Sequence, residues 1–576
     1  MRSERPSIEL FLSPAGDHGQ ALARGLGAGA LAEATEPRGD GADRARPERH
    51  VDPGGDPNSL RDQGWGVIAP RGEDGDRLLA LARPLLDKRA ADQDGEVPVY
   101  RVPPGMTAEQ AAAWIDRKLV DNTMQEAIPG YLLVLGGPDQ ISFELQQVLA
   151  GSFSVGRVGF DDDAGYEAYI DKLLRRERAP ARGPSRAVYF TARDGTPATE
   201  LGHRLLMQPC IADAVAQRAA GRFAASEIAA IEEADPARAV DRLREAAAGA
   251  GVLFSCSHGA GAPREGWSSS DQRRAAQGAL CLGRGQRLAP ELLAQAPFVP
   301  GGVWLMFACF GAGTPMRSAY HPWLARLQAH GEFDDDLGSV LASLPGEGEP
   351  PFVAALPQAA LANPDGPLAI IGHLDLAWSY GFQDIEKMSR GERHRRFHAL
   401  VAQLVRGSRV GLALGASLLR ARNQVQTELT IAAAAEARAG QDQAQDQAQD
   451  QPDQRVRLGH RWMVLADLDG YIALGDPAAR IAVAGPAARV EPAGPGAEVS
   501  SRHAEVVTGD APAPAPAIDA EAIAAAVHAL IAGRATLAEL AGRYGVPPAT
   551  VDEWRRVYTD AGLRAVSALV AGARRR

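Results

Sequence analysis

Two side chains in this sequence have the makings of a nucleophile and its base. The apolar run Val252-Leu253-Phe254-Ser255-Cys256 leads into Ser257-His258-Gly259, and a second run, Val303-Trp304-Leu305-Met306-Phe307-Ala308, leads into Cys309-Phe310-Gly311-Ala312-Gly313. Both runs have strand composition and both give way to glycine-containing turns. In an open α/β sheet the ligand crevice lies beyond the carboxyl ends of the strands, so residues at those points face substrate while the ones before them are buried. A thiolate is the attacking species and a neighbouring imidazole can take its proton, which makes Cys309 the candidate nucleophile and His258 the candidate base. Ordinary packing is the competing reading, because free Cys is among the most buried residue types. The pairing of two strand-end motifs, each with glycine close behind, favours chemistry. Gly311 and Gly313 would let the backbone turn sharply and approach a peptide closely.

Other chemistries find no motif. There is no G-x-S-x-G elbow, no H-E-x-x-H and no G-x-x-x-x-G-K-[ST] phosphate loop. The four cysteines, Cys210, Cys256, Cys281 and Cys309, include no C-x-x-C pair, which removes the usual zinc spacing. Strand alternation would send Cys256 and His258 to one face, so a Cys256, His258 and Cys309 metal site is the outside alternative; the reading adopted has neither metal nor cofactor. Four cysteines in 576 residues are too few for a disulfide scaffold, and a free nucleophilic thiol needs reducing surroundings. A cytoplasmic location is expected. The N-terminus has charges and prolines where a signal peptide needs an apolar core, and no run of apolar residues is long enough to span a bilayer, so no membrane partner is expected. A net charge of −11 argues against non-specific nucleic-acid binding by the molecule as a whole.

The chain's punctuation sets its organisation. Residues 1–61 are rich in Gly, Ala, Asp, Arg and Pro and are expected to be disordered. From Trp65 onward short apolar strands alternate with helical stretches, which argues a wound, mostly parallel α/β sheet. The expected layout is an α/β subdomain over 62–200 beside a catalytic α/β domain over 201–483. The acidic stretch near 330–351 reads as a solvated loop, and the repeat QDQAQDQAQDQPDQ, within 440–455, as a polar insertion.

The strings LFSCSHGAG and WLMFACFGAG resemble the His-Gly and Ala-Cys-x-Gly stretches of the caspase and gingipain group of cysteine peptidases, including bacterial CHAT-type proteases. YLLVLGGPDQISFELQ followed by VGRVGFD is similar to the pre-catalytic subdomain of bacterial gingipain-like proteins, and PLAIIGHLDLAW and YIALGDPAARI to their later core strands, so the resemblance covers roughly 62–483. The spacing of His258 and Cys309 is close to the roughly fifty residues found in caspases. Ala-Cys-Phe-Gly replaces the caspase Gln-Ala-Cys-x-Gly, so aspartate specificity is not carried over. The resemblance implies a cysteine endopeptidase acting on protein or peptide substrates, with an oxyanion hole formed by the backbone N–H groups of Gly259 and Cys309. It also implies that the strand after the Cys walls the substrate pocket, making Asp375 and Trp378 pocket candidates; a carboxylate there would favour Arg or Lys, whereas its plainer reading is a cap. Glu265 and Asp271, downstream of the His, are candidates for orienting it, against the commoner exposed-loop reading.

A Pro/Ala-rich linker over 484–517 leads to a purely helical segment, 518–576, similar to the helix-turn-helix of transposase-type regulators. Leu537 and Leu540 would face its core, Gly545 would make the turn, and Pro548 would open the second helix ahead of Val551 and Trp554. Asp552 and Glu553 would repel phosphate while Arg555, Arg556 and Arg574-Arg575-Arg576 would attract it, so a protein partner and DNA both stand as partners for this module. The alternative to an enzyme is a non-catalytic caspase-fold regulator or scaffold whose helix-turn-helix binds DNA.

Overall fold

The computed structural model describes residues 7–15, 19–23, 25–34, 54–120, 128–181, 183–233, 235–294, 296–331, 336–383, 393–442 and 451–483, with positions 540, 546 and 551 beyond them. Besides two short two-stranded pairs, Ser7–Ile8 with Leu26–Gly27 and Gly313–Thr314 with Phe352–Val353, its strands, in chain order, are β1 (Leu12–Pro14), β2 (Trp65–Pro70), β3 (Val99–Val102), β4 (Tyr131–Leu135), β5 (Ser154–Val158), β6 (Ala187–Ala192), β7 (Ile228–Glu233), β8 (Val252–Cys256), β9 (His258–Gly261), β10 (Leu280–Cys281), β11 (Arg287–Leu288), β12 (Val303–Phe307), β13 (Ala369–His373) and β14 (Tyr471–Gly475). Ten of them make one sheet in the order β3-β2-β4-β5-β14-β13-β12-β8-β6-β7. Every residue of β2, β4, β5, β6, β8, β12, β13 and β14 is buried. Strands covered on both faces must be apolar along their whole length, which is why these segments read as continuous hydrophobic runs rather than alternating ones. The edge strands β3 and β7 carry the exposed and half-buried residues.

The sheet is a wound, mostly parallel α/β sheet. One pairing breaks the parallel rule: β14 runs antiparallel to β13 and parallel to β5. The carboxyl ends of β13, β12, β8 and β6 gather at one edge. The sequence boundary near residue 200 does not separate two sheets. β6 pairs with β8 across it, and β14, late in the chain, closes onto β5, within one compact unit that ends at Ala488. Pairing between short strands far apart in the chain leaves no mark in local sequence pattern.

The expectation of a structureless first sixty residues is corrected for 7–15, 19–23 and 25–34. Ile8, Leu10, Phe11, Leu12, Leu22, Leu26 and Leu31 are buried, and the 3-10 helix Ala28–Glu33 is fastened by the Trp323 indole N–H donating to the Ala30 carbonyl at 2.9 Å. The surrounding polar composition hides a short apolar run whose partners lie hundreds of residues away. The acidic stretch near 330–351 is likewise not all loop: Asp336–Ser343 is helical. Helices Arg420–Asp442 and Gln451–Asp469 flank the Gln/Asp repeat, of which 443–450 lie outside the described residues. So do the linker after 483 and, but for three positions, the helix-turn-helix segment. Among the described residues no helix is long and apolar enough to cross a membrane.

A buried ion cluster locks the reversing strand in place. Asp476, directly after β14 and fully buried, accepts from Arg89 Nε and Nη2 at 2.9 and 2.6 Å and from the Trp65 indole N–H at 3.0 Å. Arg89 also donates to both oxygens of Glu177 at 2.9 and 2.6 Å. Removing one member of a buried ionic group strands its partners without compensation. Asp476→Ala is expected to lower the unfolding free energy by roughly 3 kcal/mol, read as a reduced urea midpoint at unchanged slope; a change within a few tenths of a kcal/mol would show that the cluster does not hold the joint.

Candidate functional site

β8 and β12 are parallel neighbours with Cys256 opposite Phe307, so the segments leaving them emerge side by side. After β8 the Ser257 N–H makes one last bond to the Phe307 carbonyl at 3.1 Å. The chain then enters a separate four-stranded sheet of order β11-β10-β9-β1, in which His258 lies opposite Cys281. After β12 the chain turns through Cys309 and Phe310, whose φ of 54° is the left-handed conformation, unusual for a residue with a side chain. The Phe310 N–H donating to the Asp375 carbonyl at 2.9 Å holds that turn.

The two candidate motifs meet at their backbones. A Cβ on Gly259 would come within 1.8 Å of the Cys309 carbonyl oxygen, so only glycine fits there. The N–H groups of Gly259 and Cys309 converge on a single acceptor, the carbonyl oxygen of Phe11, at 3.0 and 3.4 Å. Gly311 is less constrained, since its added Cβ would first meet the mobile end of Met306.

His258 is 1% exposed and Cys309 fully buried. His258 Nε2 lies 2.8 Å from Thr196 Oγ1 and 3.7 Å from Asp194 Oδ2. Thr196 Oγ1 donates to Asp194 Oδ1 at 2.8 Å, as does Thr199 Oγ1 at 2.6 Å. With the threonine proton given to the carboxylate, its oxygen accepts from the imidazole, which assigns the proton to Nε2. Nδ1 makes no hydrogen bond of ordinary geometry. Burial pushes the imidazole below its ordinary pKa against the pull of Asp194 and of the Phe11 backbone, which acts on the ring as a hydrogen-bond partner. Burial pushes the Cys309 thiol well above its own. Both are therefore neutral here, and Cys309 Sγ accepts from the Ala377 N–H at 3.1 Å.

Asp194 and Thr196 are functional candidates that motif reading passed over in favour of Glu265 and Asp271. Their signal is the same one that found His258: they stand just past the carboxyl end of β6, next to β8 in the sheet. Asp375 is 6% exposed, and its carboxylate is taken by Ser318 Oγ, the Leu376 N–H and the Ala319 N–H at 2.8–2.9 Å. Burial pushes it up to about 6. It braces the turn at 318–319, the capping role, rather than standing open to a substrate cation. Trp378 is fully buried against Tyr320, Trp323 and Tyr380, and its backbone bridges antiparallel to Leu10. Among the described residues no three His, Cys, Asp or Glu are grouped to hold a metal ion; Cys256 lies against Gly202.

No family model and no curated protein matches the chain. Its structure is similar to a solved "Structure of Protease" (14% identity, TM-score 0.41, 72% of this chain and 78% of that one) and to the Arg-specific cysteine proteinase gingipain R (12%, 0.40, 73% and 78%). It is also similar to the complex of Porphyromonas gingivalis RgpB pro- and mature domains (12%, 0.37, 72% and 79%). A likeness of this strength identifies neither a family nor an activity.

Asp467 supports the wall of the site by accepting from the Trp378 N–H at 3.0 Å. It is fully buried, and burial pushes its carboxyl up to about 8. An unfolded aspartate titrates near 3.9, so between about pH 4 and about pH 8 the folded chain keeps a proton that the unfolded chain releases. This group's contribution to stability is thus largest at low pH and falls as pH rises to about 8. Asp467→Asn keeps the acceptor and cannot ionise. Its stability relative to the parent, from urea unfolding at about pH 5 and about pH 8, is expected to increase with pH; a constant difference would refute the buried neutral acid.

Proposed function

We propose that this chain is a cysteine endopeptidase with Cys309 as nucleophile and His258 as general base. The observation that carries the reading is the convergence of the Gly259 and Cys309 amides on one peptide carbonyl. Two N–H groups aimed at the same oxygen are what a tetrahedral oxyanion requires, and each such donor contributes about 3 kcal/mol to transition-state stabilisation.

The chemistry follows from the groups present. Cys309 passes its proton to His258 Nδ1, and the sulfur attacks the carbonyl carbon held in the hole. Negative charge moves onto oxygen between the two amides. Collapse breaks the C–N bond, the leaving amine taking the proton from His258, and water attacks the thioester with His258 as base to release the acid. Asp194, through Thr196, fixes the Nε2–H tautomer and stabilises the imidazolium. The partner is a protein or peptide, and no cofactor takes part.

The composition and sparse cysteines support a cytoplasmic setting, and the helical pattern of 518–576 supports recruitment or regulation through a partner of that module. One observation favours the non-catalytic alternative: His258 and Cys309 are both buried. A peptidyl electrophile separates the two. It is expected to modify Cys309 on prolonged incubation, located by mass spectrometry, and to leave Cys309→Ala and His258→Ala unmodified at that position; equal modification of His258→Ala would end the dyad reading. Asp194→Ala is expected to cut the modification rate by about a hundredfold or more, the scale seen when the orienting acid of a triad is lost, while an unchanged rate would remove Asp194 from the site.

A further inference from the structure

The Phe11 carbonyl in the oxyanion position belongs to a segment that lies in the groove as a substrate would. The Phe11 N–H donates to the Ala377 carbonyl at 3.0 Å, and two residues earlier the Ser379 N–H donates to the Glu9 carbonyl at 3.1 Å. Leu10 bridges antiparallel to Trp378 between them. Beyond Phe11 the chain continues as β1 alongside β9, with Leu12 opposite Gly259. Residues 9–11 thus add a strand to the 377–379 edge, the carbonyl of the third residue sits between the two amides, and the next residues run on past His258. That is the path of a bound peptide whose Phe11–Leu12 bond occupies the reacting position.

The Phe11 ring has a fitted pocket. It packs edge-on to Phe307 at 4.7 Å and lies 6.0 Å from Phe382 and 5.9 Å from the His258 ring. A Cβ on Gly202 would sit 3.1 Å from the ring, so glycine leaves the space. The carboxylate of Asp375 is spent on the 318–319 turn. Gln20, whose side chain reaches Glu9 and the Ala198 N–H at 3.1 and 2.9 Å, fastens the segment to the helix beside the site.

We propose that residues 9–14 are a tethered substrate mimic that keeps the groove occupied, and that the groove they fill takes peptides with an aromatic residue before the scissile bond. The inference rests on the dyad reading above and adds its regulation and its preference. With the segment in place a competing peptide cannot reach the amide pair. With the segment out, water and substrate enter, and the burial that keeps thiol and imidazole neutral is relieved.

The test compares Cys309 modification by two peptidyl electrophiles, one ending in Leu-Phe and one in Leu-Arg, on the full chain and on its Leu10→Asp/Leu12→Asp variant, with hydrogen exchange following the amides of 9–14. The variant places charges at two buried positions and is expected to expose those amides and to react about ten-fold faster or more, as a site freed from a minor open population should. The Leu-Phe probe is expected to outpace Leu-Arg on both chains. Released amides with an unchanged rate would overturn the mimic while leaving the dyad standing, and faster reaction with Leu-Arg would overturn the aromatic preference. Released amides with no modification of Cys309 by either probe, or modification that survives His258→Ala, would instead overturn the dyad and the mimic with it. Should the double variant not fold, Phe11→Ala, which only empties the ring pocket, is expected to accelerate modification in the same sense, and no acceleration would overturn the proposal.

Discussion

The site depends on one close approach, the backbone of Gly259 against that of Cys309. Nothing but hydrogen can occupy the Cβ position of Gly259 with the Cys309 carbonyl 1.8 Å from it. That distance brings two amide hydrogens from separate strands to a single point. Such an approach cannot be made by side chains, whose positions adjust, and it needs a rigid support. β8 and β12 supply it as hydrogen-bonded parallel neighbours in register. The left-handed Phe310, tied to Asp375, then turns the second chain so that its Cys amide faces the first.

Two inward-facing amides buried without an acceptor would cost free energy comparable to lost hydrogen bonds. Here the Phe11 carbonyl accepts from both, which couples the N-terminal segment to the reacting centre more tightly than its apolar contacts alone would. The same cover sets the electrostatics. Desolvation disfavours the charged form of each group, so thiol and imidazole are both neutral, although an acid lies 3.7 Å from the imidazole. Solvent access, and not residue identity, sets both shifts.

Much of this was legible in the sequence, and the boundary of legibility has a physical origin. His258, Cys309 and the wound sheet are written in contiguous strings: an apolar strand, its end, a glycine. The carboxyl-edge rule that places them also reaches Asp194, but only once β6 is known to lie next to β8, and neighbour relations within a sheet are not local. Phe11 is harder still. Five residues, Ile8 to Leu12, carry no period of their own in polar surroundings, and their partners at 259, 309 and 377 are fixed only by the finished fold. Asp375 shows the opposite failure, because a carboxylate at a plausible pocket position turns out to have both oxygens bonded to its own chain.

Both candidate motifs follow the carboxyl ends of neighbouring strands, β8 and β12, in one half of the sheet. A cavity of about 160 Å³ lies beyond the carboxyl ends of β4 and β5, lined by Gly137, Gly159, Phe160, charged residues including Arg77, Asp139 and Arg274, and Phe352 and Val353, which pair with Thr314 and Gly313 just after the Cys309 turn. No histidine or cysteine lines it. The first half of the chain acts on the site mechanically, through Asp476 and Arg89 fixing β14, which in turn registers β13 from Ala369 to His373. The wall that pairs with residues 9–11 begins four residues after His373, and its position is therefore tied to a strand anchored by Asp476.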